Sequence, residues 1–215
     1  MNNLVIIGNS GAARECYDIL QLMLAASPAL KNTHSFKGFL SWQHFAGSPK
    51  ATPVLGDADD YTVCENDCFI IGVGNPLLRK AIYQHFCKLK AVFFTLIHPL
   101  CEISPSAIFG EANIFQRNST VFADAQIGNA NYFNGAVNVS HDAVVGDFNF
   151  LGPFSMVLGD AHLGSGNALG VSSILLPKAR VGDRNIIAPG SIVFKGCKNG
   201  CRLAGNPALN IGDLE

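Results

Sequence analysis

The stretch Val139–Met156 reads VSHDAV VGDFNF LGPFSM, three hexads that fall into one register. Stepping by six in both directions gives Ile103, Phe109, Phe115, Val121, Ile127, Phe133, Val139, Val145, Leu151, Val157, Leu163, Leu169, Leu175, Val181, Ile187 and Val193. All are large and apolar, and no insertion breaks the register. A second period of 18 residues overlies the first, because Gly110, Gly128, Gly146, Gly164 and Gly182 recur every third hexad. The fifth positions cycle in the same way, as in Ala143, Asn149, Ser155 and then Ala161, Asn167, Ser173. Three similar hexads per repeat describe a triangular coil with three short strands and three corners, a left-handed parallel β-helix. The first residue of each hexad points into the prism and the fifth fills a corner. The glycine column is expected to relieve backbone strain at its corner, and the Asn113–Asn185 column to form a hydrogen-bonded ladder. Five coils at the spacing of stacked strands give a prism about 24 Å tall.

Before the repeats the pattern changes. Leu4–Ile7 is a short apolar strand, followed by Gly8-Asn9-Ser10-Gly11 and a helical stretch over Ala12–Leu24. Strand, glycine turn and helix open a Rossmann-like unit whose helix N-terminus favours phosphate. The complete G-x-G-x-x-G of a dinucleotide site is absent. Further strands are predicted at Ser35–Leu40, Cys68–Val73 and Ala91–Ile97, with a helix opened by Gly74-Asn75-Pro76 and running to about Leu89. His98-Pro99 reads as a linker. The expected organisation is an α/β Rossmann-like domain over 1–98, a left-handed β-helix domain over 99–196, and a C-terminal tail over 197–215.

Composition narrows the classes of function. Of 215 residues, 48% are hydrophobic and 14% charged, and the net charge of −1 gives no electrostatic footprint for nucleic acid or an anionic membrane. Apolar runs such as Ala91–Ile97 are too short to span a bilayer, and Met1-Asn2-Asn3-Leu4 lacks the basic start of a signal peptide. The cysteines at 16, 64, 68, 87, 101, 197 and 201 lack paired Cys-x2-Cys spacing, so no metal is expected and reduced thiols in a cytoplasmic protein are the plain reading.

His141, third in its hexad, points away from the prism and is the candidate general base. Asp142 belongs to a column with Asp124 and Asp160, 18 residues apart, and such a column favours a cationic imidazolium beside it, although aspartate also suits corners. Ser140-His141-Asp142 is no hydrolase triad, since contiguous residues cannot line up in series. His141 and His162 alone fall within the repeats, too few for a three-histidine zinc site.

These features together resemble the NeuD/PglD-like family of sugar acetyltransferases. The matching pieces are Ile7-Gly8-Asn9-Ser10-Gly11, Ile71-Gly72-Val73-Gly74-Asn75 with Arg79, Leu96-Ile97-His98-Pro99, Ile103-Ser104-Pro105-Ser106-Ala107, Asn134 with Val139-Ser140-His141-Asp142, and Gly205-Asn206-Pro207-Ala208. The resemblance covers nearly the whole chain in order. It implies a homotrimer that moves acetyl from acetyl-CoA, its co-substrate, to a nucleotide-activated amino sugar in surface-glycan biosynthesis. His141 and Asp142 are then catalytic, and Gly8, Asn9, Ser10, Gly11, Gly74, Asn75 and Asn134 bind substrate. Coenzyme A contacts are implied at Phe150, Gly159, Gly170, Val171 and Pro189. The chain departs from the pattern at Ala12, where relatives often carry a histidine, at Ser41-Trp42, where they carry acidic residues, and at Phe150, where some have a histidine touching the acetyl group. Leu209 replaces a commoner lysine. O-acetylation of a sialic-acid-like sugar and a non-catalytic β-helix trimer remain the alternative readings.

Overall fold

The computed structural model describes residues 1–42 and 53–214. Its first half is a parallel five-stranded sheet of β1 (Asn2–Ile7), β2 (His34–Ser41), β3 (Val54–Asp57), β4 (Asp67–Ile71) and β5 (Val92–Phe93), in the order β3-β2-β1-β4-β5. Residues Leu4 to Ile7 are fully buried, because both faces of β1 are covered. Leu4 and Ile6 pack with α1 (Gly11–Ala26), while Val5 and Ile7 pack with Ile82 and Phe86 of α3 (Pro76–Lys88). The short α2 (Pro28–Thr33) and β3 were not expected from the sequence. At the far end of the sheet, Lys37 pairs with the buried Asp67 at 2.9 Å, and Tyr61 donates to the same carboxylate at 2.8 Å. Burial opposes ionisation of Asp67, yet donors from Lys37, Tyr61, the Cys64 backbone and Asn3 hold its pKa below the usual carboxylate range.

The apolar run Ala91–Ile97, expected as one strand, serves two sheets. Val92–Phe93 pairs with Cys68–Phe69 in the α/β sheet, whereas β6 (Leu96–Ile97) pairs with Ile114–Phe115 in the prism. The β-helix therefore starts ahead of residue 99. It also continues past 196, since Gly196–Cys197 and Cys201–Gly205 stack on the preceding coil and Ala208–Asp213 folds back antiparallel on Cys201–Gly205.

Three sheets enclose the prism. The face against which the first domain docks carries Leu96–Ile97, Ile114–Phe115, Tyr132–Phe133, Phe150–Leu151, Ala168–Leu169, Ile186–Ile187 and Cys201–Gly205. The second face includes Thr120–Val121, Asn138–Val139 and Met156–Val157, and the third includes Gln126–Ile127, Val144–Val145 and His162–Leu163. Fourteen of the sixteen periodic apolar residues are buried; Ile103 and Phe109 are half-buried because they lie in the first coil, at the end of the stack. The expected ladder is present. Each of Asn131, Asn149, Asn167 and Asn185 donates both its backbone N–H and its side-chain amide to the Oδ1 of the asparagine one coil earlier, at 2.8–3.1 Å. Thr95 Oγ1 accepts from the Asn113 backbone at one end, and the Cys201 N–H donates to Asn185 at the other.

The glycine column has a different cause from the one expected. Positive φ falls at the fourth hexad position, as at Asp124 (59°), Asp142 (58°), Phe148 (59°) and Asp160 (58°), while Gly110, Gly128, Gly146, Gly164 and Gly182 are not in that region. Those glycines are instead sites of close approach, where a Cβ on Gly128 would collide with Asp147 Oδ1 and the Gly146 carbonyl. That same Oδ1 accepts the Asn129 N–H at 2.6 Å, and Asn129, Ser165, Asp183 and Asn199 serve the other coils alike. The aspartate column at 124, 142 and 160 sits where the backbone is left-handed, a conformation that aspartate tolerates. No helix among the described residues is long and apolar enough to cross a membrane.

Candidate functional site

Strand order reverses between β1 and β4, and in open parallel sheets ligands bind in the crevice at such a switch point, beyond the carboxyl ends of the strands. Here the two loops that leave β1 and β4 are Gly8–Gly11 and Gly72–Asn75, so residues 64 positions apart meet at one place. Gly8 has φ +123°, and a Cβ there would lie 2.8 Å from the Gly72 carbonyl oxygen. A Cβ on Gly72 would lie 2.8 Å from Ala13 Cα, so that glycine lets α1 approach the sheet.

The two helix starts at the crevice differ. Asn75 caps α3, its Oδ1 accepting the N–H groups of Leu77 and Leu78 at 2.9 and 3.1 Å. The N-cap of α1 is Ser10, whose side chain makes no capping bond, and its first turn holds no acidic residue. The first-turn amides of α1 are thus uncommitted to any side-chain cap, and their partial positive charge favours an anion. Gly74 meets the prism, because a Cβ there would stand 3.2 Å from the Phe150 ring. Phe150 in turn lies 5.6 Å from Tyr132, centroid to centroid, beneath its own chain's first domain. Beside this crevice, α3 and the upper coils border a cleft of about 590 Å³ whose lining includes Leu77, Ala168, Arg184 and Ile186.

His141 is on the prism edge between the second and third faces. Its side chain is 64% exposed, and its Nδ1 lies 2.9 Å from Asp142 Oδ2. With Nδ1 engaged by the carboxylate, Nε2 is the nitrogen left to accept a proton. The ring lies over Gly159, one coil further on; a Cβ at 159 would come within 2.8 Å of Nε2 and of Cε1. Gly159, expected to meet coenzyme A, thus also makes room for the imidazole.

The remaining expected residues are elsewhere. Gly170, Val171 and Pro189 stack on the edge between the docked and second faces, where a Cβ on Gly170 would meet the Pro189 nitrogen at 2.5 Å. Asn134 is on that edge too, and its Oδ1 accepts the Gly135 N–H at 2.7 Å. Within one chain the expected residues therefore divide into three groups: the crevice, the His141 edge opposite the docked face, and the Gly170 edge. Topology keeps them apart in a single copy.

Sequence reasoning missed two junctions between the domains. Gln116 donates to Glu15 Oε2 at 2.9 Å and lies 2.6 Å from the Tyr132 hydroxyl, which holds α1 toward the Gly170 edge. On the opposite side, Arg79 is wholly buried beneath α3. The matching motif pointed to Arg79, but its partners are backbone carbonyls that no residue pattern reveals. Cys16 of α1, buried in the cluster that includes Leu4, Ile6 and Tyr132, has its thiol pushed up to about 12 by desolvation. Among the described residues, no three His, Cys, Asp or Glu side chains converge to hold a metal ion.

Comparison with known proteins follows the same division. Residues 3–86 match the family model described as the PglD N-terminal domain. A stretch of 115 residues is 29% identical to UDP-N-acetylbacillosamine N-acetyltransferase of Bacillus subtilis (strain 168), covering 53% of this chain and 51% of that protein. The match thus spans about half the length of the curated relative. The whole fold is shared with the acetyltransferase domain of PglB from Neisseria gonorrhoeae FA1090, solved with acetyl coenzyme A (TM-score 0.85, 23% identity, 98% of this chain and 100% of that one). PerB from Caulobacter crescentus, solved with CoA and GDP-perosamine, gives a TM-score of 0.84 at 22% identity, covering 99% and 98%. WeeI from Acinetobacter baumannii AYE gives 0.73 at 19% identity, covering 98% and 100%.

Proposed function

We propose that this NeuD/PglD-like chain, a PglD N-terminal domain ahead of a left-handed β-helix, is an acetyl-CoA-dependent N-acetyltransferase of a nucleotide-linked amino sugar. The observation that carries the reading is a division of labour. A switch-point crevice offers uncommitted helix amides to a diphosphate, while a solvent-facing histidine, oriented by a carboxylate, stands on the prism. The relatives' names support it, since the Bacillus protein is an N-acetyltransferase and the Caulobacter structure holds CoA and GDP-perosamine.

In this mechanism the sugar amine attacks the thioester carbon of acetyl-CoA. His141 Nε2 takes the amine proton as the C–N bond forms, the tetrahedral intermediate collapses with cleavage of the C–S bond, and the leaving thiolate takes that proton from the imidazolium to depart as the thiol of coenzyme A. Asp142 holds Nδ1–H and balances the imidazolium. The residues serve one site when the His141 edge of one copy faces the Gly170 edge and first domain of another. Concave sites for a long ligand arm favour such interfaces, and a homotrimer closes the arrangement. Gly159, Gly170, Val171 and Pro189 would then flank the pantetheine arm, with Phe150 at the crevice floor. The reading places the chain in the cytoplasm, where acetyl-CoA and nucleotide sugars meet, in the assembly of surface glycans.

The test is incubation with acetyl-CoA and a panel of nucleotide amino sugars, following thiol release and product mass. An acetylated product that survives mild base identifies an amide. A base-labile product would assign O-acetylation instead, and no thiol release with any acceptor would favour a non-catalytic trimer.

A further inference from the structure

Arg79 is 0% exposed and has no carboxylate among its hydrogen-bond acceptors. Its guanidinium carries five N–H donors, and five backbone carbonyls receive them. Nε donates to Ala130 at 2.7 Å, Nη1 to Ile71 and Val73 at 2.7 and 2.8 Å, and Nη2 to Ala112 and Asn131 at 3.1 and 3.2 Å. The acceptors come from two bodies. Ile71 ends β4 and Val73 lies in the crevice loop, whereas Ala112, Ala130 and Asn131 lie on two successive coils of the prism. Asn131 is itself a rung of the asparagine ladder. The Tyr132 ring lies 5.5 Å from the guanidinium carbon.

A buried cation is an expensive way to glue two domains together, and apolar residues of similar volume commonly do as well or better. A rigid planar fork gives fixed geometry instead. The loop it holds is the one that touches Gly8 through Gly72 and Phe150 through Gly74. We propose that Arg79 is a positioning residue, which fixes the substrate crevice relative to the prism so that the bound acceptor reaches the thioester in register. The proposal rests on the acetyl-transfer reading above, because only then must a ligand on the first domain meet one held along a prism. Misplacement by about 1 Å in such a reaction lowers the rate by about 10²-fold.

The experiment compares Arg79→Lys and Arg79→Met with the wild type in two measurements. The first is amide hydrogen exchange at 72–75 against exchange at the ladder amides of Asn149 and Asn167. The second is acetyl transfer, with kcat and KM for the nucleotide sugar, alongside the Kd for acetyl-CoA. The expected result for a folded variant is faster exchange at 72–75 with unchanged ladder amides. Its kcat should fall about 10- to 100-fold, more than KM changes, and acetyl-CoA affinity should stay within about twofold. Wild-type kcat and wild-type exchange in either folded variant would overturn the assignment. Failure of both variants to fold would make Arg79 a structural anchor and also overturn it. A wild type that transfers no acetyl while the variants loosen 72–75 would instead refute the activity and keep the positioning.

Discussion

Replacing Asn149 by alanine should break the prism's internal spine in a way the hydrogen bonds let one estimate. Asn149 Oδ1 accepts the Asn167 backbone N–H at 2.8 Å and its side-chain amide at 3.0 Å, while its own amide donates to Asn131 Oδ1 at 3.0 Å. The Asn149 backbone N–H keeps its bond to Asn131, so the loss on that side is partial. On the other side two donors of Asn167, a fully buried residue, lose their acceptor. Each unsatisfied buried donor costs about 1–3 kcal/mol, so the pair costs about 2–6 kcal/mol. For a chain of this length about 1 kcal/mol shifts Tm by about 2–4 °C, so a midpoint loss of roughly 10 °C is expected in a calorimetric melt. Asn210→Ala, in the exposed hairpin strand, is the control and should leave Tm nearly unchanged. A loss below about 1 kcal/mol for Asn149→Ala, determined by reversible denaturant unfolding, would mean the ladder contributes little beyond filling corners.

Gly159→Ala should spare stability, since its φ is not in the left-handed region, yet it must displace the imidazole that a Cβ would approach to 2.8 Å. A fall in kcat of about 10- to 100-fold with an unaltered melt is expected, and wild-type kcat would show that the ring's position is unimportant. Asp67→Asn removes the buried partner of Lys37 and should cost about 3 kcal/mol at pH 7 in urea unfolding. Because the folded-state pKa of Asp67 is depressed, the stability it confers is present above its unfolded value of about 4 and is lost as pH falls through the folded value. The gap between wild type and variant should therefore narrow in acid, and an undiminished gap at pH 2 would refute the linkage.

The prism was legible because its period maps one residue to one slot. The register from Phe115 to Val193 and the asparagine column could be placed without any tertiary knowledge. The same arithmetic turned His141 outward, whereas the position of Gly159 under its ring came from the structure. It failed where one residue type answers more than one need. Glycine at 128 looked like a conformational requirement and proved to be a steric one. The run Ala91–Ile97 is uniformly apolar, so nothing in it marks where the chain leaves one sheet for another. Asn75, matched as a substrate residue, also caps α3 through its Oδ1, a second role that the motif did not reveal. Arg79 was hardest to interpret, since its five acceptors are main-chain atoms gathered from Ile71 to Asn131 by folding. The pairing of prism edges between copies proposed above is a property of surfaces, and a periodicity inside the chain carries no record of it.

The central claim is that His141 is the base for acetyl transfer, and His141→Ala tests it most directly. The side chain is largely solvent-exposed, so the variant should melt like the wild type and bind acetyl-CoA as well. With an acceptor that the wild type acetylates, its kcat followed by thiol release at neutral pH should fall about 10²–10⁴-fold. Retention of more than about half of wild-type turnover would remove His141 from the mechanism.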